Sequence, residues 1–186
     1  MGCSVAVDGE WAIVGSCGDS KFSGLSGAGA AYYLNVNDNG IHLVLTSPDP
    51  SQLAHFGSAV ALLRVGTTTT VLIGAEGATA NGAPFVGAAY LFTISHLPAP
   101  AGMSQRFSRK LIASDGMDYD HVGCAVAMHG GRALVGARGP DSPMGGRAAS
   151  RVNGGVYVFD MASGSQIAKL VPSSVDGPTC LWFGAS

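Results

Sequence analysis

A glycine-led motif occurs three times along the chain, and it constrains the fold more than any other feature. In each copy a glycine is followed by small and apolar residues, over residues 2–7, 57–62 and 123–128. Residues 183–186 read Phe-Gly-Ala-Ser and look like the opening of a fourth copy. The copies are about 60 residues apart, and a long internal period indicates a fold assembled from stacked supersecondary units.

Each copy continues with three further apolar runs separated by turn residues. The second run ends in glycine, the third carries aromatic side chains, and the fourth closes the copy. The second runs span 11–15, 71–74 and 132–136, the third runs 29–34, 87–92 and 155–160, and the fourth runs 41–45, 107–112 and 166–171. Short runs rich in Val, Ile, Leu, Tyr and Phe predict β-strands, so each copy is predicted to form four antiparallel strands.

Tight turns are predicted between the first and second strands. Asp8-Gly9 and Gly130-Gly131 favour two-residue hairpins, and a type I′ turn needs positive φ at both central positions. The chain contains 28 glycines, 47% hydrophobic residues and only 12% charged residues. This composition indicates an all-β protein and argues against disorder, because disordered chains are poor in apolar residues.

Four-stranded antiparallel units at this period are typical of β-propeller blades. The first strands carry small side chains, which suit a position near the propeller axis, and the aromatic third strands can fill the space between blades. We expect blade 1 at about residues 2–46, blade 2 at about 56–113 and blade 3 at about 122–172, with 183–186 starting a fourth repeat. One four-stranded sheet buries too little surface alone, so contacts between blades are expected to supply most of the stability.

Several short motifs resemble the FG-GAP repeat of integrin alpha-like β-propellers. They read Phe-Gly-Ser-Ala-Val-Ala at 56–61, Lys-Leu-Ile-Ala-Ser-Asp-Gly at 110–116, Leu-Val-Gly-Ala at 134–137 and Gly-Val-Tyr-Val-Phe at 155–159. The likeness covers nearly the whole chain and is closest to a bacterial-style subtype without an embedded calcium loop. It implies an all-β fold, a partial β-propeller of three four-stranded antiparallel blades.

The resemblance also implies a ring of about seven blades. Three blades are too few to close a ring, because closed propellers have about four to eight. We therefore expect the sequence to be a fragment of a roughly seven-bladed propeller. An open array and closure by oligomerisation are the alternatives. In a fragment the outer faces of the terminal blades would expose apolar surface and favour self-association.

No calcium site of the integrin type, and no cofactor, is expected. Integrin-like propellers carry Asp-x-Asp-x-Asp-Gly loops between the first and second strands, and segments 7–10, 64–70 and 128–131 lack the required carboxylates. Asp115, Asp118 and Asp120, in the joint between blades 2 and 3, are weak candidates for a cation site. Structural roles in turns are favoured, because the other joints hold single aspartates, Asp49 and Asp176.

No catalytic constellation is visible. His55 and His121 occupy the same repeat position, which favours a packing or turn role. There is no Gly-x-Ser-x-Gly elbow, and the glycine-rich segments 15–18 and 24–27 lack the lysine–hydroxyl ending of a phosphate loop. We expect no enzyme activity from this chain, with a non-catalytic portion of a larger propeller enzyme as one alternative.

Recognition is expected in the long loops between the second and third strands. These loops differ in length and sequence, and variable loops on a rigid scaffold are where binding residues concentrate. The third loop holds the ligand-binding candidates Arg138, Asp141, Arg147 and Arg151, and arginine is common in binding hot spots. The resemblance implies a recognition or adhesion scaffold for a protein partner. A cell-surface carbohydrate-binding module is the alternative, with Phe85 and Tyr119 as its aromatic candidates.

Charge and cysteine content bound the remaining possibilities. The net charge is −2 and no Lys/Arg cluster occurs, so a nucleic-acid partner is not expected. No apolar run approaches the roughly 18 residues of a membrane span, and no signal peptide is visible. An extracellular or cell-surface location is implied by the resemblance alone. Buried thiols and a disulfide both remain open for the four cysteines, which are Cys3, Cys17, Cys124 and Cys180.

Overall fold

The computed structural model describes residues 2–38, 40–97, 102–139 and 154–171, and it contains no helix within them. Twelve β-strands make up the regular structure. They are β1 (Ser4–Asp8), β2 (Trp11–Ser16), β3 (Ala30–Asn35), β4 (Ile41–Leu45), β5 (Phe56–Val65), β6 (Thr68–Ala75), β7 (Ala88–His96), β8 (Met103–Leu111), β9 (Val122–His129), β10 (Arg132–Ala137), β11 (Gly155–Asp160) and β12 (Gln166–Leu170). Residues 183–186 and Cys180 lie outside the described residues.

The strands form three four-stranded antiparallel sheets, each in simple chain order. Sheet 1 contains β1–β4, sheet 2 contains β5–β8 and sheet 3 contains β9–β12. This confirms the predicted fold class, an all-β partial propeller of three antiparallel blades. Within the described part of the chain, no helix is long and apolar enough to cross a membrane.

Two-residue hairpins join the first and second strands of the sheets. In sheet 3 the central residues are Gly130 and Gly131, both at positive φ (53° and 78°), as a type I′ turn requires. In sheet 1 the pairing of Asp8 with Trp11 makes Gly9 and Glu10 the central residues. Of these only Gly9 has positive φ. The hairpin prediction at Asp8-Gly9 is therefore confirmed, but the predicted type I′ geometry is wrong there.

The sheets contact one another through their first strands. Strand β5 contacts β1 and β2 on one side and β9 on the other. Isolated parallel bridges join Gly29 to Phe56 and Gly87 to Val122, so each sheet is also tied to the opening of the next. The first strands therefore lie side by side where the sheets meet.

Glycine allows this close approach. A Cβ atom on Gly15 would lie 2.0 Å from the carbonyl oxygen of Gly57, and one on Gly74 would lie 1.9 Å from that of Gly123. The same two carbonyl oxygens accept hydrogen bonds from the hydroxyls of Ser4 (2.9 Å) and Ser58 (3.2 Å). The opening glycine of each later sheet is thus held against the first two strands of the preceding sheet.

The apolar core lies between the sheets and not within any one of them. One cluster joins sheets 1 and 2 around Tyr33, Phe56 and Tyr90. The other joins sheets 2 and 3 around Tyr157 and Phe159. These five aromatic rings are almost completely buried. The third strands therefore fill the space between blades, and removing one sheet would expose the apolar face of its neighbour.

Candidate functional site

The ends of strands β6 and β10 meet two loops and two joints at one edge of the molecule, here called the rim site. Its members are the side chains of His55, Glu76, Phe85, Tyr119, His121 and Arg138. Glu76 and Arg138 directly follow β6 and β10, and Phe85 lies in the β6–β7 loop. The histidines and Tyr119 come from the joints that precede β5 and β9. Residues from sheets 2 and 3 are therefore brought together here.

An aromatic stack forms the exposed part of the rim site. The rings of Phe85 and Tyr119 are nearly parallel, with centroids 5.3 Å apart and planes 14° apart. The His121 ring lies 6.3 Å from Phe85 and 6.4 Å from Tyr119. Tyr119 is 51% exposed. The two loop aromatics singled out from the sequence are thus adjacent and available to a ligand.

The backbone under this stack has positive φ at every ring. The φ angles are 55° at Phe85, 66° at Tyr119 and 54° at His121. The equivalent positions between sheets 1 and 2 have the same conformation, with φ of 64° at Gly27 in the β2–β3 loop and 57° at Leu53 in the joint. The bond from His121 N–H to the Phe85 carbonyl has its counterpart in the bond from His55 N–H to the Gly27 carbonyl. The scaffold therefore sets the conformation at this position.

At that position the backbone conformation is less favourable for Phe85 than for glycine. The left-handed conformation costs a side-chain-bearing residue about 1–2 kcal/mol, and glycine avoids this cost. Gly27 occupies the equivalent place in the β2–β3 loop of sheet 1, and Phe85 is partly exposed. Unfavourable backbone beneath an exposed side chain is typical of ligand-binding positions.

Charged groups connect the two sheets beneath the stack. Glu76 lies 3.8 Å from His55 through Oε1–Nδ1 and 3.4 Å from Arg138 through Oε2–Nη2. The Gly139 N–H donates to the Asp120 carbonyl at 3.2 Å, which ties the end of β10 to the preceding joint. Of the four candidates predicted in the third loop, Arg138 lies in the rim site. Asp141, Arg147 and Arg151 lie outside the described residues.

One pair of repeat positions next to the rim site carries different chemistry in each sheet. The pair joins the residue after the first glycine to the residue after the second strand. In sheet 1 it is a Cys3–Cys17 disulfide with Cα atoms 6.1 Å apart. In sheet 2 the Glu76 N–H donates to the Ser58 hydroxyl at 3.4 Å. In sheet 3 the pair is Cys124 and Arg138.

The cysteine states follow from these surroundings. The disulfide interpretation that the sequence left open is realised at Cys3 and Cys17, whereas Cys124 carries a thiol. Burial, followed by the negative charge of Glu76, raises the pKa of the Cys124 thiol to about 11. Thiolate is the reactive form of cysteine, so Cys124 is a poor nucleophile at neutral pH.

The joint aspartates Asp115 and Asp49 contact the same residue types, a tyrosine and a lysine, in sheets 3 and 2. Asp115 accepts hydrogen bonds from the Tyr157 hydroxyl at 2.9 Å and from Lys169 Nζ at 2.6 Å. Lys169 Nζ also lies 4.8 Å from the centre of the Tyr157 ring. In sheet 2 the corresponding residues are Asp49, Tyr90 and Lys110, with distances of 2.9, 2.6 and 5.3 Å. We call each set an aspartate lock, because it fastens the joint to the third and fourth strands of the sheet that follows.

The ionisation of the lock residues follows from these contacts. Partial burial opposes the charged form of Asp115, but the hydrogen bonds from Lys169 and Tyr157 outweigh it and lower the pKa of the carboxyl group. Burial raises the pKa of the Tyr157 hydroxyl to about 12. At neutral pH the lock therefore pairs a carboxylate with a neutral phenol and an ammonium group.

The weak cation candidates are divided between different contacts. Both carboxylate oxygens of Asp115 face the lock, and the Asp120 carboxylate accepts the Met117 N–H at 2.8 Å. Asp118 lies between them in the same joint. Among the residues that the structure describes, no three His, Cys, Asp or Glu side chains are grouped to hold a metal ion.

Sheet 1 uses a different partner for its equivalent tyrosine. Tyr32 pairs with Val44 at the position where Tyr90 pairs with Lys110. The Tyr32 hydroxyl instead donates to Asp19 in the β2–β3 loop at 2.5 Å. That hydrogen bond raises the pKa of Tyr32 to about 12 and lowers the pKa of Asp19. The tyrosine at this repeat position thus donates to an aspartate in all three sheets, although the aspartate of sheet 1 comes from a different segment.

An open pocket of about 300 Å³ lies at the far end of sheets 1 and 2. It is lined by His42, Leu43, His96, Leu97, Gly102 and Met103. His96 Nε2 lies 3.0 Å from the Tyr33 hydroxyl and 3.1 Å from the Thr69 hydroxyl. Burial, followed by the positive charge of Arg64, lowers the pKa of His96. Thr69 is completely buried, so its hydroxyl cannot reach a substrate. This arrangement is suited to packing between the sheets.

Comparison with known families matches one segment, which runs from within β8 to β11. The family model described as FG-GAP repeat matches residues 106–159. This segment contains the joint with Asp115 and Tyr119, strands β9 and β10, and the Tyr157 of the second lock. No curated protein sequence matches the chain.

Proposed function

We propose that this chain is a non-catalytic recognition module that binds a protein partner through the rim site, since residues 106–159 match the family model described as FG-GAP repeat. The observation that carries the proposal is the exposed Phe85–Tyr119 stack at the meeting of two sheets. The FG-GAP match supports a propeller-type interaction domain, and binding residues concentrate in loops on a rigid scaffold. The rim site supplies a rigid platform for such loops.

The chemistry of the rim site matches that of protein-binding hot spots. Tyrosine and arginine are enriched in such hot spots, which combine aromatic anchors with a polar surround. Here the Phe85–Tyr119 stack supplies apolar area, and the Glu76–Arg138 pair supplies charge beside it. Stacking of the two rings on each other restricts their rotation before binding, so less side-chain entropy is lost when a partner binds.

The Cys3–Cys17 disulfide supports an extracellular or cell-surface location for this module. Disulfides persist in oxidising compartments and are rare where thiol buffers are reducing. The bond connects the start of the first sheet to the end of its second strand, where the other sheets use weaker contacts.

The test uses Phe85→Gly as the main variant. Gly27 shows that glycine is accepted at this position, so the variant should fold at least as well as the wild type while losing the exposed ring. The purified chain is coupled to beads and exposed to secreted and cell-surface proteins of the source organism, and captured proteins are quantified. Phe22→Ala is the control, because Phe22 is also half-exposed but lies in the β2–β3 loop of sheet 1.

We expect a partner that Phe22→Ala retains and that Phe85→Gly and Tyr119→Ala lose by about tenfold or more, the loss typical of one hot-spot residue. A partner retained equally by all three variants would place recognition elsewhere on the chain.

Glycan binding is the second candidate, and the geometry of the stack favours it specifically. Sugar rings pack against exposed aromatic faces, and Tyr119 presents such a face. A glycan array probed with the wild type and with Tyr119→Ala separates the candidates. A Tyr119-dependent glycan signal without a captured protein would replace the protein-binding proposal.

A further inference from the structure

The open pocket at the far end of sheets 1 and 2 brings together side chains that bind soft metal ions. Three of its lining residues are His42, His96 and Met103. Two imidazole rings and one thioether sulfur form a donor set suited to monovalent copper. We propose that His42, His96 and Met103 bind one Cu(I) ion in this pocket.

The pocket lies away from the rim site, at the opposite end of the strands of sheet 2. The ladder between β6 and β7 runs from the pair Thr68–Ser95, next to the pocket, to the pair Ala75–Ala88, next to the rim site. Copper binding at one end is therefore independent of partner recognition at the other.

The strand ladder places two of the three ligands directly opposite each other. His96 and Met103 are the terminal antiparallel pair of β7 and β8, and facing residues of such a pair have Cβ atoms about 4.5–5.5 Å apart. Met103 also packs against the apolar core between sheets 1 and 2. Its thioether therefore lies on the face of sheet 2 that borders the pocket.

A buried indole connects the third ligand, from sheet 1, to this pair. The ring of Trp11 has its centroid 5.1 Å from that of His42 and 4.6 Å from that of His96. Trp11 is only 6% exposed and stacks on the ring of Tyr33 at a centroid distance of 4.9 Å. Both imidazoles thus pack edge-on against one fixed ring, which keeps them beside the same cavity.

Hydrogen bonds of both imidazoles go through Nε2, which leaves Nδ1 for a metal ion. His42 Nε2 lies 2.9 Å from Asp38 Oδ2, and because a carboxylate only accepts, Nε2 carries the proton. His96 Nε2 lies 3.0 Å from the Tyr33 hydroxyl and 3.1 Å from the Thr69 hydroxyl, and either oxygen can accept its proton. Metal-bound histidines typically donate their second N–H to such a partner, which fixes the orientation of the ring.

The pocket lining favours Cu(I) over divalent ions. Calcium and magnesium bind oxygen ligands, and no carboxylate is among the described residues that line the pocket. Thioether sulfur selects Cu(I), whereas zinc sites use thiolate, imidazole and carboxylate ligands. The positive charge of Arg64 acts on His96, where it lowers the pKa, and it repels a doubly charged ion more than a singly charged one.

The segment that connects two of the lining residues adds no competing ligand. Residues 98–101 lie between Leu97 and Gly102, outside the described ranges, and their sequence is Pro-Ala-Pro-Ala. None of these side chains binds a metal ion. The three proposed ligands therefore account for the metal-binding side chains that line the pocket in the described part of the chain.

The experiment measures the transfer of Cu(I) to the full chain from the coloured chelator bicinchoninate, under nitrogen and with ascorbate present. All proteins carry Cys124→Ser and Cys180→Ser, because thiols also bind Cu(I). We expect one Cu(I) per chain and a copper absorption edge that shows nitrogen neighbours and one sulfur neighbour. Cu(I) should also raise the Tm, because a ligand that binds the folded state stabilises it.

Met103→Leu is the main variant, because leucine nearly keeps the volume and removes the sulfur. It should lose copper affinity by about tenfold or more, together with the sulfur signal, while far-ultraviolet circular dichroism stays unchanged. Met161→Leu is the matched control, because Met161 is a partly buried methionine that packs on the other apolar cluster. His42→Gln should weaken binding by a similar factor. His129→Gln should not, because His129 is exposed at the end of β9.

A chain that takes no Cu(I) from the chelator overturns the proposal. Equal copper affinity of Met103→Leu and Met161→Leu also overturns it, as does bound copper without a sulfur neighbour. Zn²⁺ that binds as tightly as Cu(I), and equally well to Met103→Leu, would identify a histidine-only site and would reject the assignment as well.

Discussion

Single side chains at the joints fix the position of each sheet relative to the segment before it. In the lock of sheet 3, Asp115 is half-exposed, yet both of its oxygens are used by Tyr157 and Lys169. The same three residue types recur in sheet 2 with nearly the same distances. A recurring geometry of this kind indicates a structural part of the repeat, so Asp49 and Asp115 are explained without a ligand.

Removing the phenol hydroxyl of the lock should reduce stability in a pH-dependent way. Tyr157→Phe is expected to lower the free energy of unfolding by about 1 kcal/mol at pH 7, the usual value for one hydrogen bond, as the acceptor is half-exposed. Asp115→Asn should do the same. Because the pKa of Asp115 is lowered by folding, its contribution is present above the unfolded value near 4 and is lost as the pH falls through the folded pKa.

Urea denaturation between pH 3 and pH 7 checks this expectation. The difference between the wild type and Asp115→Asn should shrink towards zero at the acid end. Tyr119→Phe is the control, since Tyr119 is exposed and changes there are expected to stay within about 0.5 kcal/mol. A wild type and an Asp115→Asn variant with parallel pH profiles would show that the lock is not charged in the folded state.

At the scale of strands and turns, glycines set how closely neighbouring sheets approach. Gly74→Ala is expected to lower the free energy of unfolding by about 2 kcal/mol, because its Cβ atom would lie 1.9 Å from a backbone oxygen of sheet 3. Backbone cannot rotate away as a flexible side chain can, so the sheets must separate. Gly18→Ala is the control, with no atom within 4 Å of the added Cβ atom. Thermal and urea unfolding of the two variants should differ clearly, and equal curves would contradict this packing.

The strands themselves could be predicted from local pattern, because apolar runs and turn residues alternate within a few positions. The third run at 29–34 corresponds to β3 (Ala30–Asn35), for example. Strand β8 begins at Met103, four positions before the predicted run at 107–112. Residues 104–106 are polar and exposed, but they pair with the end of β7. Ladder hydrogen bonds extend this strand where hydrophobic pattern does not.

The side-chain groups were harder to predict, because they depend on how one sheet is rotated against the next. The lock of Asp115, Tyr157 and Lys169 joins residues 54 positions apart, and no local pattern connects them. The Cys3–Cys17 bond had a usable signal, since both cysteines occupy repeat positions that meet in the other sheets. Alignment of the three copies by strand register would have paired them. Phe85 and Tyr119 were recognised as loop aromatics, but their stacking required the joint backbone.

At the scale of the whole molecule, the three sheets of the described residues are joined through two apolar interfaces. Sheet 1 contacts sheet 2, sheet 2 contacts sheet 3, and each apolar cluster belongs to one of these contacts. Such an array behaves as a one-dimensional series, in which a loss of stability in one sheet affects its nearest neighbour most. The disulfide lies in the first sheet of this series. Reducing it therefore tests how far a loss of stability in one sheet spreads to the others.

Reducing the Cys3–Cys17 bond should therefore loosen the molecule in a graded way. The bond closes a loop with a sequence separation of 14, and opening a loop of this size costs about 3 kcal/mol. Amide hydrogen exchange is measured on the oxidised and the reduced protein. We expect the largest loss of protection in β1 and β2, a smaller loss in β5 and β6, and little change in β9 and β10. Cys124→Ser should leave the gradient unchanged, because Cys124 forms no disulfide. A uniform loss through all three sheets would instead show one cooperative unit, in which the interfaces are stronger than the sheets they join.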